Sequence, residues 1–224
     1  MNQTRIYSYI CTLLISLWCT LPAMGQTKKM AEEPDTIPLF NGVQVYADAV
    51  GPVLLSLSDY GQYEGGLRIN IKDKYYPVVE VGLGKAKHDN EVTQLHYDTS
   101  APYFRVGMDW NILNKKHTGN RLFVGPRIGY TNFKYNMSAP AEDPIWGGDV
   151  HYGVSDEKAR YLWLELSFGA ESRIVGPVSA GWAIKYRKKI SADEGGMSKT
   201  WYVPGYGKSG STVITGAFYV SIGI

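Results

Sequence analysis

The sequence predicts an all-β fold, an antiparallel up-and-down eight-stranded transmembrane β-barrel, and three observations carry that expectation. The chain opens with the marks of an export leader. From about residue 42 to its end it alternates apolar and polar residues with a period of two, and long and short connections separate its strand segments in turn.

Arg5 precedes an apolar run from Ile6 to Leu21, and the small-residue pattern Ala23-Met24-Gly25 stands before Gln26, which reads as a secretory signal peptide over residues 1–25. Ser8, Thr12, Ser16 and Thr20 interrupt the run and no basic flank follows it, which argues against a membrane anchor. Both cysteines, Cys11 and Cys19, fall inside the leader, so cleavage after Gly25 leaves no disulfide, thiolate metal site or cysteine nucleophile. Trp18 is too bulky a neighbour for lipidation of Cys19. Lys28, Lys29, Glu32, Glu33, Pro34 and Pro38 mark residues 26–41 as a polar periplasmic linker, and residues 42–224 then form one domain, the barrel. Of the 23 basic side chains one, Arg5, lies in the leader, leaving 22 against 21 acidic ones. That near-neutral balance offers no face for nucleic acid.

The clearest strand places Phe104, Val106, Met108, Trp110 and Ile112 on one face and Arg105, Gly107, Asp109 and Asn111 on the other. Leu122, Val124, Pro126, Ile128 and Tyr130 repeat the pattern opposite Phe123, Gly125, Arg127, Gly129 and Thr131. Leu162 to Ala170 and Trp182 to Tyr186 do so again, and the chain ends in a strand with Ile214, Phe218, Val220, Ile222 and Ile224 on the apolar side. Weaker alternation runs through Val43 to Ala49, Leu67 to Ile71 and Val79 to Leu83, the first and third somewhat short, which brings the count to eight.

Connections at roughly 51–62, 85–102, 133–159 and 188–210 are long, whereas those near Lys72-Asp73-Lys74, at 114–120 and at Val175-Gly176-Pro177 are shorter. Short turns inside and long loops outside are the habit of outer-membrane barrels, so the four long connections are expected on the outer surface.

Alternation does not say which face is inside, but the polar face carries Gly66, Gly82, Gly107, Gly125, Gly129, Gly169 and Gly181. Glycine weakens a solvated strand yet relieves crowding in a narrow eight-stranded lumen. The bulky apolar face is therefore expected to point outward, with Phe104, Tyr130 and Tyr186 as an aromatic girdle. The lumen would be lined by Arg68, Glu80, Arg105, Asp109, Arg127, Glu165, Glu171, Arg173, Lys185 and Arg187. Buried charges must pair. Two pairs are expected across the short turns, Arg68 with Glu80 and Glu165 with Arg187, within a structural plug rather than an ion path.

His88, His96, His117 and His151 all fall in predicted connections, and His151 has Asp149 and Ser155 near it only in sequence, so no catalytic residues are assigned. Glu142, Asp143, Asp149, Asp156 and Glu157 are spaced too irregularly for a metal site, and no cofactor motif is present. Lys188, Lys189, Lys199 and Lys208 are interleaved with Trp201, Tyr202 and Tyr206, a mix suited to lipid phosphates or a partner protein at the outer rim.

The signal peptide, the two-faced strands and the last strand, Thr212 to Ile224, together resemble the class of small outer-membrane barrels typified by OmpX and the OmpA transmembrane domain. The stretches Gly51-Pro52-Val53 and Pro77-Val78-Val79-Glu80-Val81-Gly82 are similar to an uncharacterised family of such barrels from gut-type Gram-negative bacteria, one without an assigned function. The chain departs from the class in ending on Ile224 rather than an aromatic residue. The expectation is a non-enzymatic outer-membrane protein that serves envelope structure or loop-mediated surface interaction, in contact with outer-membrane lipid and lipopolysaccharide. The alternatives are a lipid-modifying enzyme acting on lipid A or phospholipid acyl chains and a soluble secreted ligand-binding barrel.

Overall fold

The computed structural model describes residues 38–90, 94–113, 119–142, 149–195 and 200–224, with backbone alone at 139–142 and 149–152. The leader and nearly all of the linker lie outside the described residues. Eight long strands follow one another: β1 Phe40–Asp48, β2 Tyr60–Ile71, β3 Tyr75–Asn90, β4 Leu95–Asn111, β5 Arg121–Glu142, β6 Asp149–Val175, β7 Val178–Asp193 and, last in the chain, β10 Thr212–Gly223. Helix α1, Val50–Leu57, joins β1 to β2, and a small hairpin of β8, Tyr202–Val203, and β9, Gly207–Lys208, lies between β7 and β10. Each long strand pairs antiparallel with its predecessor, and β10 pairs with β1, so the sheet closes on itself.

The turns explain the register. At the β2–β3 turn Lys72 and Asp73 both have φ 54°, the mirrored geometry whose twist matches that of the flanking strands. The side-chain oxygen of Asn70 accepts the Asp73 N–H at 2.9 Å and fixes it. At the β6–β7 turn the left-handed position, φ 53°, falls on Gly176. These turns, the β4–β5 connection, the start of β1 and the end of β10 define one end of the barrel, the turn end. Helix α1 and the other connections define the opposite one, the loop end.

Burial decides which face is inside. Val106, Ile128 and Leu164 are 57 %, 50 % and 45 % exposed, whereas their chain neighbours Arg127 and Glu165 are 2 % and 0 %. A barrel with an apolar interior is thereby contradicted. On the exterior, the positions from Tyr63 to Ile71, Tyr75 to Leu83, Pro102 to Ile112, Leu122 to Tyr130, Leu162 to Ala170, Val178 to Tyr186 and Ile214 to Ile222 form a belt without a single charged side chain. Phe104, Tyr130 and Tyr186 all stand exposed on it, Phe104 directly opposite Tyr130.

The long connections differ from expectation. Strands β3 and β4 run on to Asn90 and from Leu95, and β5 and β6 run on to Glu142 and from Asp149, so much of what reads as loop is hairpin standing beyond the belt. Alternation there sets small or hydroxyl side chains such as Ala86, Thr99 and Ala159 against charges, and it lacks the apolar contrast that marks a strand in sequence. The third strand, read as short, has 16 residues for the same reason.

Strand β1 ends early. Its pairing with β10 stops at Asp48 and Tyr219, extended by one bond from the Ala49 N–H to the Phe218 carbonyl at 2.7 Å, while β10 continues to Thr212 along β7. Helix α1 packs on β2 in place of further strand, close enough that a Cβ on Gly51 would lie 2.0 Å from the Gln62 carbonyl. Alternate residues of a strand direct their N–H and C=O to the same side, so Thr212, Ile214 and Gly216 present theirs to an edge where no described strand lies.

A charged interior as the candidate functional site

The interior is built by parity. Among the described residues twelve charged side chains are buried within the barrel, six acidic (Asp48, Glu64, Glu80, Asp109, Glu165, Glu171) and six basic (Arg68, Arg105, Arg121, Arg127, Lys185, Arg187), so these interior charges balance one another. Each sits on a strand position whose neighbours in the chain face outward, which is why the same sequence supplies an apolar exterior and an ionic interior.

Eleven of these charges form one connected network along the barrel, while Asp48 accepts the Gly51 N–H at 2.8 Å. Nearest the turn end, Glu171 Oε2 accepts from Arg121 Nη2 at 2.7 Å and from Arg68 Nη1 at 3.0 Å. Arg68 stacks on the Tyr46 ring, 3.8 Å from its centroid, and its Nε lies 3.7 Å from Asp109. Asp109 in turn receives both of its bonds from Arg127 Nη2, at 3.0 and 3.1 Å. In the middle Arg105 is gripped by three carboxylates, with Nε 2.8 Å from Glu80, Nη1 2.7 Å from Glu165 and Nη2 against Glu64. Toward the loop end Lys185 bonds Glu64 at 2.7 Å, and Arg187 Nε bonds Glu165 at 2.7 Å. Phenols complete the set, Tyr103 donating to Glu64 at 2.7 Å and Tyr46 to Glu80. Buried ions are tolerable only when paired in this way.

Nine of the ten residues predicted to line the lumen lie in this network. Arg173 does not. It keeps the interior parity, still opposite buried Ser179, but stands at the turn-end rim of the lumen, where its side chain is exposed. Of the two predicted pairs, Glu165 and Arg187 are cross-strand partners. Arg68 and Glu80 are not paired: Gly66 stands opposite Glu80, and Arg68 reaches across the lumen to Glu171 and Asp109 instead. Sequence reading missed Asp48, Glu64 and Arg121. All three keep the interior parity of their strands; Asp48 falls within the alternation of β1, and starting β2 and β5 a few residues earlier would have found the other two.

Glycines make room for the large interior rings. A Cβ at Gly129 would lie 2.2 Å from the Trp163 ring, and one at Gly82 2.3 Å from that of Tyr103. Space of this kind follows from a circumference of only eight strands.

Above the network the barrel is stoppered by its own chain. The β8–β9 hairpin turns inward, and Tyr202, Val203, Pro204, Gly205 and Tyr206 are all buried. Arg187 Nη1 donates to the Tyr206 carbonyl at 2.9 Å, and the Tyr97 hydroxyl donates to the Tyr202 carbonyl at 2.7 Å. Gly205, at φ +77°, lies so close to Tyr103 that a Cβ would meet its ring at 2.3 Å. Tyr97, Phe133, Tyr135, Tyr161 and Trp163 pack around the hairpin. Burial raises the phenol pKa of Tyr97 and Tyr202, and burial with a bond to Glu194 raises that of Tyr161 to about 12. The expectation that Tyr202 and Tyr206 stand at the outer rim is thus corrected: they plug the mouth, whereas Lys188 and Lys208 are exposed, Lys189 and Trp201 are half-buried, and Lys199 lies outside the described residues.

The histidines are held singly. His88 Nδ1 is 2.6 Å from Asp59 and its ring is stacked on Trp201 at 4.3 Å, and His96 contacts Asp89. His117 and the side chains of Glu142, Asp143, Asp149 and His151 lie outside the described residues. Asp156 pairs with Lys134 at 3.3 Å. Among the described residues no cluster of histidine, cysteine and acidic side chains is suited to a metal ion.

One family model matches the chain, described as Domain of unknown function (DUF6048), over residues 6–223. No curated protein and no solved structure shows a significant match to it.

Proposed function

We propose that this chain, which belongs to the family described as Domain of unknown function (DUF6048), is a non-enzymatic barrel of the Gram-negative outer membrane. Its interior is sealed, and its loop end is presented to the outside. The uncharged belt is the observation that carries the reading. A soluble monomer rarely exposes a continuous apolar patch beyond about 600 Å². Here the apolar surface encircles the molecule, with side chains such as Phe104, Val106, Ile128, Phe218 and Ile222 each more than half or about half exposed. Strands of about 10 residues with outward apolar and inward polar faces are what a bilayer requires of a barrel, because closure satisfies backbone groups that hydrocarbon cannot.

The sealed interior supports a structural or presenting role rather than conduction. Six buried acids balance six buried bases, five of those acids bonded to the bases, and the β8–β9 hairpin covers the network at the loop end. Outer-membrane lipid and lipopolysaccharide are then the neighbours of the belt. The test has two parts. Detergent-extracted protein should migrate faster unheated than boiled, as closed barrels do, and planar bilayers holding the folded protein should show no stable single-channel steps. Loss of the first result refutes the membrane reading, and steady conductance refutes the sealed one.

A further inference from the structure

The exterior changes character abruptly at the loop-end edge of the belt. In the first two exterior rows beyond it stand six cations, Lys85 and Lys87 on β3, Lys134 on β5, Lys158 and Arg160 on β6 and Lys188 on β7, against three acids, Asp98 on β4, Asp59 beside Lys87 just ahead of β2 and Asp193 opposite Arg160 on β7. They are densest where β5 meets β6. Lys134 and Lys158 are direct cross-strand partners on the same face, and Asn132 lies opposite Arg160 one row nearer the belt, just past Tyr130 and Leu162. Like charges set directly opposite one another destabilise a sheet. The ion pairs that relieve them are exposed and weak, Lys134 with Asp156 at 3.3 Å and Arg160 with Asp193 at 3.1 Å, and Lys158 has no acidic partner among the described residues. Such a pairing is stable when an anion lies across it.

We infer that this basic band, centred on Lys134, Lys158 and Arg160, holds the phosphate groups of an outer-leaflet phosphoglycolipid whose acyl chains lie along the belt. The inference rests on the membrane reading and deepens it. Position selects the ligand: Arg160 stands two residues, and Lys134 and Lys158 four residues, beyond the last apolar row, the depth at which a lipid phosphate lies when its chains pack on Tyr130 and Leu162. Their long stems can run along the apolar surface while the charged heads reach the phosphate layer. The aromatic loop once suited to this role is withdrawn into the barrel mouth, so the strands carry it instead.

The experiment compares the full chain with the variant carrying Lys134→Gln, Lys158→Gln and Arg160→Gln, both folded in detergent, by native mass spectrometry with diphosphoryl lipid A, dephosphorylated lipid A and inorganic phosphate as probes. With about 1 kcal/mol for each cation near a charged lipid surface, the triple variant should bind diphosphoryl lipid A about 100-fold more weakly. Replacement of Lys72 and Lys74 at the turn end should change nothing. Equal retention of diphosphoryl lipid A by the triple variant, equal binding of the dephosphorylated lipid, or tight binding of inorganic phosphate alone would each overturn the inference. Faster unheated migration of both proteins keeps that failure distinct from failure of the membrane reading, which would abolish it.

Discussion

Replacing Glu165 by Gln probes the interior at its most connected point. One Glu165 oxygen receives Arg105 Nη1 and Arg187 Nε, each at 2.7 Å, and the other lies 3.6 Å from Arg127 Nη1. Glutamine keeps the shape and one acceptor but no charge, leaving six buried bases facing five acids. An uncompensated buried charge costs about 3–5 kcal/mol, a large part of the stability of a domain this size. Adding Arg187→Gln restores the balance at five against five and should return about 2 kcal/mol, an interaction visible only as non-additivity. Urea unfolding of the folded protein in micelles, followed by tryptophan fluorescence and by the heat-dependent gel shift, measures both quantities. A loss below about 1 kcal/mol for Glu165→Gln, or purely additive losses in the double variant, would show that the ionic network does not hold the barrel as described.

Three further outcomes follow from the geometry. Proline at position 216 should be tolerated, because the Gly216 N–H points to the unpaired edge of β10, whereas Ile184→Pro, on a strand paired on both sides, should cost about 3 kcal/mol in the same unfolding assay. Gly205→Ala forces a Cβ into the Tyr103 ring at a left-handed position and should expel the β8–β9 hairpin, read as faster proteolysis between β7 and β10, while the bilayer stays non-conducting because the charge network beneath is untouched. The raised phenols of Tyr97, Tyr161 and Tyr202 stay protonated in the folded state after the unfolded chain, with tyrosine near its ordinary value of about 10, has begun to ionise. The unfolded state then binds fewer protons, so stability is full below about pH 10 and falls as pH rises from there toward 12; a phenolate absorbance titration with all tyrosines ionising near pH 10 would contradict the packing.

Local periodicity was enough to give the number of strands, their direction and the identity of most interior charges, because a residue's side of a strand depends only on its parity and on where the strand begins. Glu165 and Arg187 could be paired from the sequence since a tight turn joins their strands and fixes the register. Arg68 could not be matched with Glu171, a partner 103 positions away, because only closure of the ring brings β2 across from β6. Arg173 was misplaced because it stands at the open rim, where inward parity no longer means burial, and Glu64 and Arg121 were passed over at strand ends, where alternation fades. The inward course of the β8–β9 hairpin has no periodic signature at all: its rings are buried because the folded wall leaves a cavity lined by Tyr97, Tyr103 and Trp163 that they fill. Side-chain alternation is a property of each strand taken alone, whereas the lumen, its ion pairs and its stopper exist only after the last strand has met the first.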